Sequence, residues 1–224
     1  MAKKIRKKIT TVREHPLRVP VSEKNPVGIT LRDRHLRRLK GTYLDAAEIE
    51  SVFKNYDRKD LVYPVFRKLD KYKNADNYDE VIAIWTDYFN KKFKAVPPLD
   101  PDVVKALIAS ESGFRVDPYE NKKAFGITQI TPDTLKILQD LKGEAKDFIF
   151  NKIHRKDLKD PGIAIPMGVR WLFRKRSTAS NQLKRAPDHE ELILEYKGLL
   201  KSKTDLKNKA LEIYREHYGL LKKK

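Results

Sequence analysis

The chain has 224 residues, 40% apolar and 36% charged, enough for one sizeable core or two small ones. Its lack of cysteine excludes disulfides, thiolate metal sites and cysteine nucleophiles. No apolar run approaches the roughly 18 residues of a membrane span. The basic start, MAKKIRKKITT, is not followed by the apolar stretch and cleavage site of a secretory signal peptide. The net charge of +18 is concentrated at the ends: +10 over residues 1–43, +6 over 197–224 and only +2 between. Basic ends around a near-neutral centre suit non-specific attraction to a polyanion, whether nucleic acid, membrane surface or bacterial wall.

In chain order, residues 1–30 combine basic residues with Pro16, Pro20, Pro26 and Gly28 and read as a mobile basic arm. Residues 31–95 read as a helical extension. RDRHLRRLK (32–40) suits a basic helix, and LDAAEIESVFKNY (44–56) and DLVYPVFRKLDKY (60–72) are short amphipathic segments, the second broken by Pro64. In DEVIAIWTDYFNKKF (79–93), Val81, Trp85, Tyr88 and Phe89 share one stripe. VPPLDP (96–101) then marks the expected boundary with a third region, 96–224.

That region is punctuated by helix signals. Asp100-Pro101 opens PDVVKALIASES, which Gly113 closes. Thr131-Pro132 opens a second helix, closed by Gly143. Asp160-Pro161 opens a third, bent or delayed by Pro166. Asp188 and Glu191 form a capping box, and Thr204 precedes a last helix to about Tyr218. KAFGITQI (123–130) is the best strand signal. The expected class is mostly α.

Glu111 stands out. It follows Leu107, Ile108 and Val104 by four, three and seven residues, so it shares their apolar stripe. Burial and the negative end of the helix dipole both favour its protonated form, as a general acid requires. The same spacing is also compatible with a carboxylate reaching solvent from a frayed last turn.

The context is more specific. ALIASESGF (106–114), AFGITQITPDT (124–134), DPGIAIPMGVRWL (160–172) and ELILEYKG (191–198) follow in order, with fifteen residues from Glu111 to Gly126. Over residues 78–200 the chain resembles the lytic transglycosylases related to goose-type lysozyme. The resemblance implies a lysozyme-like helical fold, peptidoglycan glycan strands as substrate and no cofactor or metal. It implies that Glu111 protonates the bond between N-acetylmuramic acid and N-acetylglucosamine, then serves as base for a 1,6-anhydro product. Ser112 would help hold that carboxyl, Gly126 would let the backbone approach the sugar, Gln129 would bind substrate, and Tyr196 would line the cleft beside Glu111. Three positions depart from the family motifs: Thr128 stands for Met, Ala164 for Asn, and Lys197-Gly198 for Asn-x-Gly.

Other readings remain. A hydrolytic lysozyme needs a second carboxylate, for which Asp117 and Glu120 are the local candidates. The basic ends fit a nucleic-acid-binding protein but leave the ordered motifs unexplained, and a non-catalytic wall-binding module would keep the fold alone. The five histidines have no metal-ligand spacing, and there is no nucleophile-elbow or phosphate-loop motif. An enzyme acting in the periplasm or wall without a signal peptide needs another route, for which phage lysis, a virion and a secretion system all serve.

Overall fold

The computed structural model describes the backbone of residues 9–12, 15–18, 29–32, 35–38 and 42, and residues 43–117 and 123–223 in full. Two units separate at Tyr43 and Leu44.

In the first unit, β1 (Ile9–Val12) pairs antiparallel with β4 (His35–Arg38), and β2 (His15–Arg18) with β3 (Ile29–Arg32). Val12 pairs with His35 in one ladder and His15 with Arg32 in the other. Strand β4 corrects the basic helix read over 32–40; of the arm suggested over 1–30, all but 9–12, 15–18 and 29–30 lies outside the described residues. The correction has a physical reason: ITTV and ITLR are rich in β-branched residues, which fit a pleated ladder.

The second unit is helical, and mostly α as expected. Its helices are α1 (Ala46–Asn55), α2 (Asp79–Phe93), α3 (Pro101–Ser112), α4 (Pro132–Gln139), α5 (Pro161–Leu183), α6 (His189–Tyr196) and α7 (Thr204–Lys222). Most caps read in the sequence are in place, but α4 ends at Gln139 with Asp140 as its cap, before the expected Gly143 stop. Asp100, Thr131 and Asp160 accept backbone N–H groups at their helix starts, Asp188 and Glu191 form the reciprocal box, and Gly113 closes α3 with φ +58°. Segment 60–72 is not helical: besides Pro64, Asp60 and Arg67 adopt left-handed φ values of 63° and 54°. Pro166 sits inside α5 and does not delay its start.

VPPLDP does not divide the fold. Ile82, Trp85 and Phe89 of α2 share one core with Leu107 of α3, Leu172 of α5, Ile193 of α6 and Tyr214 of α7. The chain therefore divides at 43/44 and not at 30 and 95, because the α2 stripe closes its apolar face on the helices that follow. Helix α3 is central. Residues Pro101 to Ala109 are all buried, with α7 as its main packing partner and α2 beside it. Only its last turn emerges, and that turn carries Glu111.

A buried cation fixes α3 against α2. Lys105 is 0% exposed, and its ammonium donates to Val65 O (3.0 Å), Asp76 Oδ1 (2.6 Å) and Asp79 Oδ2 (2.9 Å). Burial raises Asp79 from 3.8 to about 6, against the lowering pull of Lys105. A carboxyl raised on folding stabilises the fold most below its unfolded value and loses that contribution as pH rises through 6. Lys105→Met is therefore expected to lose about 3–5 kcal/mol at pH 7, since it strands buried carboxylates. The deficit should shrink at pH 5, where Asp79 takes a proton; urea unfolding at the two pH values checks both statements.

Candidate active site

Phe125 and Ile130 exchange backbone hydrogen bonds, each 2.9 Å, and close a tight turn over Gly126–Gln129. The turn is the meeting point of three helices. Ser112 Oγ, at the end of α3, lies 2.7 Å from Ile127 O and 3.2 Å from Ile108 O. Thr128 Oγ1 donates to Ala164 O of α5 at 2.9 Å, and Tyr196 of α6 donates its phenol proton to Thr128 O at 2.7 Å. Burial first, and the nearby Glu111 charge second, hold that phenol well above its usual range. Tyr196 is thus a neutral donor at physiological pH, committed to a backbone carbonyl.

Glu111 reaches the surface here, its side chain 16% exposed, and forms an ion pair through Oε1 with the Lys197 ammonium, itself 18% exposed. The structure thus brings Glu111, Ser112, Gly126, Gln129 and Tyr196 together around one turn, and three of them make contacts other than those expected. Ser112 has one proton, which goes to a backbone carbonyl and ties α3 to the turn instead of supporting the Glu111 carboxyl. Gly126 is buried with φ +70°, and a Cβ there would lie 2.1 Å from Leu158 O. Its missing side chain accommodates the protein's own backbone. Gln129 has φ +51° and donates from Nε2 to Gly126 O at 2.8 Å, so in this state its amide braces the turn.

The motif departures compensate one another. Thr128 is 1% exposed and turned inward, so it contributes no cleft wall. A Cβ on Gly168 would lie 2.6 Å from Thr128 Cγ2, so the glycine makes room for it. Ala164 lacks the polar side chain of the motif Asn, but its carbonyl takes the Thr128 hydroxyl. Lys197, paired with Glu111, is a side chain of the site to which motif reading gave no part. The available signal was its place directly after Tyr196, where the motif has Asn.

Of the two candidate second carboxylates, Asp117 is 53% exposed and ion-paired with Lys159 at 2.8 Å. Glu120 lies outside the described residues. Among the described residues there is no group of three or more His, Asp or Glu able to hold a metal. His217 is instead fully buried, bonded to Ile213 O and, at 2.8 Å, to the Tyr72 hydroxyl, while half-buried His189 lies 3.1 Å from Tyr214 OH.

Comparison with family models decides the identity at this level. Residues 88–209 match the Transglycosylase SLT domain. The chain belongs to the SLT transglycosylase family. Comparison with curated proteins finds no match. Membership gives the helical unit a lysozyme-like fold and a lytic-transglycosylase type of activity on cell-wall peptidoglycan. No helix among the described residues is long and apolar enough to cross a membrane.

The turn generates a direct test. Gly126→Ala would force a methyl into Leu158 O in a left-handed backbone, and is expected to cost more than about 3 kcal/mol. Thermal unfolding measures the loss; a variant as stable as the wild type would remove the turn from its central place.

Proposed function

We propose that the protein cleaves the β-1,4 bond between N-acetylmuramic acid and N-acetylglucosamine without water, with Glu111 as sole acid and base. The observation that carries this reading is a partly exposed carboxyl at the end of an otherwise buried helix, opposite a lysine. Glu111 gives its proton to the glycosidic oxygen, and the C1–O4 bond breaks with its electron pair passing to that oxygen. The muramic acid C6 hydroxyl then attacks C1 and returns its proton to Glu111. The product carries a 1,6-anhydro ring.

In the free protein the Lys197 ammonium pairs with the Glu111 carboxylate, so entry of the glycan must open that pair and Glu111 must take up a proton from solvent before the acid step. Once Glu111 has given up its proton, Lys197 is placed to stabilise the carboxylate that accepts the second one. Tyr196 keeps the end of α6, and with it Lys197, against the turn. Gln129 would exchange its bond to Gly126 O for one to the sugar. A hydrolytic reaction would need a carboxylate to hold water, and exposed Asp117, already paired with Lys159, is poorly suited. The basic residues 1–43 would add non-specific attraction to an anionic wall.

Digestion of purified peptidoglycan, with products identified by mass, tests the reaction. The wild type should release anhydro-muropeptides, and Glu111→Gln should lose at least about 10³-fold in rate. Lys197→Met should slow cleavage by about 10- to 100-fold, the value of one charge-assisted bond. Products one water heavier would make the enzyme a hydrolase. A faster Lys197→Met would make the ion pair a brake instead of an aid.

A further inference from the structure

A cavity of about 490 Å³ lies between the C-terminal end of α2, the loop carrying Glu144 and Asp147, and the second half of α5. None of the residues around Glu111 lines it. Arg170 does, although the residue is only 3% exposed. Its guanidinium carbon lies 5.0 Å from the centre of the Phe93 ring, and its Nε is buried without a hydrogen-bond partner. No described residue forms an ion pair with it. Arg174, one turn on, is different: its fork is held by Glu144, with Nε at 2.7 Å. Half-buried Arg176 also lines the cavity and has no ion pair among the described residues.

A buried guanidinium with no direct ion pair is costly: the nearby Asp147 carboxylate favours its charge, but burial outweighs that pull. Burial lowers Arg170 only to about 10, so it keeps its charge at neutral pH. The unbonded guanidinium lines the cavity and is open to an entering anion, and a planar fork best matches a carboxylate or phosphate. The cavity volume is that of a small-ligand site. Its wall is of mixed sign: exposed Asp147 and Glu144 would repel a group bearing negative charge alone, whereas Ser177, Ser180 and Asn181 offer neutral polar contacts.

We propose that this cavity binds a short zwitterionic peptide, the peptide stem of peptidoglycan, with Arg170 and Arg176 taking its carboxylate and Asp147 facing its ammonium. The identity of the peptide rests on the peptidoglycan-cleaving reading; the charge pattern does not. Such a site would hold a peptide-bearing glycan strand at a second point, apart from the one where Glu111 acts.

Calorimetric titration of the full chain with a synthetic stem tetrapeptide containing a diamino acid tests the proposal, with inorganic phosphate as the second probe. Saturable peptide binding is expected in the wild type and in Glu111→Gln. Arg170→Gln should weaken it at least tenfold. Arg176→Gln, at a half-buried position, should weaken it likewise and keeps the test open should the Arg170 variant not fold. Unchanged affinity in the folded variants, displacement of the peptide by phosphate, or no saturable binding would overturn the proposal. Arginine-dependent peptide binding by a wild type that cuts no glycan would instead overturn the catalytic reading and leave this one standing.

Discussion

The turn closed by Phe125 and Ile130 is the constraint on which the candidate site depends. Within three residues it accepts Ser112 on the Ile127 carbonyl, accepts Tyr196 on the Thr128 carbonyl, and sends the Thr128 hydroxyl to Ala164. Those bonds gather α3, α5 and α6 at one point, and Glu111 and Lys197 are the chain neighbours of two of the residues that make them. The turn fits only because Gly126 gives the Leu158 carbonyl room and Gly168 gives Thr128 room. A pair of glycines far apart in sequence thus makes room for the turn beside which Glu111 sits.

The other end of α3 is held by charge. Lys222, near the end of α7, donates to Asp100 at 2.7 Å and to Asp102 at 2.6 Å, while Asp102 also accepts the Val65 N–H. The two acids lie at the positive end of the α3 dipole. Buried Lys105 anchors the middle of the same helix to Asp76 and Asp79. Helix α3 is therefore fixed along its length, and its last turn can present Glu111 without carrying the load of the core. This division fits a site that must hold geometry while its own ion pair opens.

Helix positions in the second unit were legible in the sequence because their ends are local chemistry. Asp-Pro and Thr-Pro starts, the Asp188–Glu191 box and the Gly113 stop each act within four residues. Ordered motifs at fixed spacing singled out Glu111 and the 124–134 segment, but 123–130, read as a strand, is a turn closed by a single bridge. The strand pairing of 9–12 with 35–38 and of 15–18 with 29–32 was not legible, because a register between distant short segments leaves little periodic signal. Nor was the sharing of one core across Val96–Pro101, since the break in helical pattern there is a corner in one structure. Lys197 was legible only as a motif departure and Arg170 not at all, for a related reason: a lysine at a helix end or an arginine inside one reads as surface until its neighbours are placed.

The claim that most needs testing is that the turn, through Tyr196, sets the Lys197–Glu111 pair. A double-mutant cycle of Tyr196→Phe and Lys197→Met on the rate of glycan cleavage addresses it directly. If Tyr196 acts by holding Lys197 in place, the double variant should lose little more than the worse of the two single variants. Losses that multiply would show two independent contributions and contradict the account.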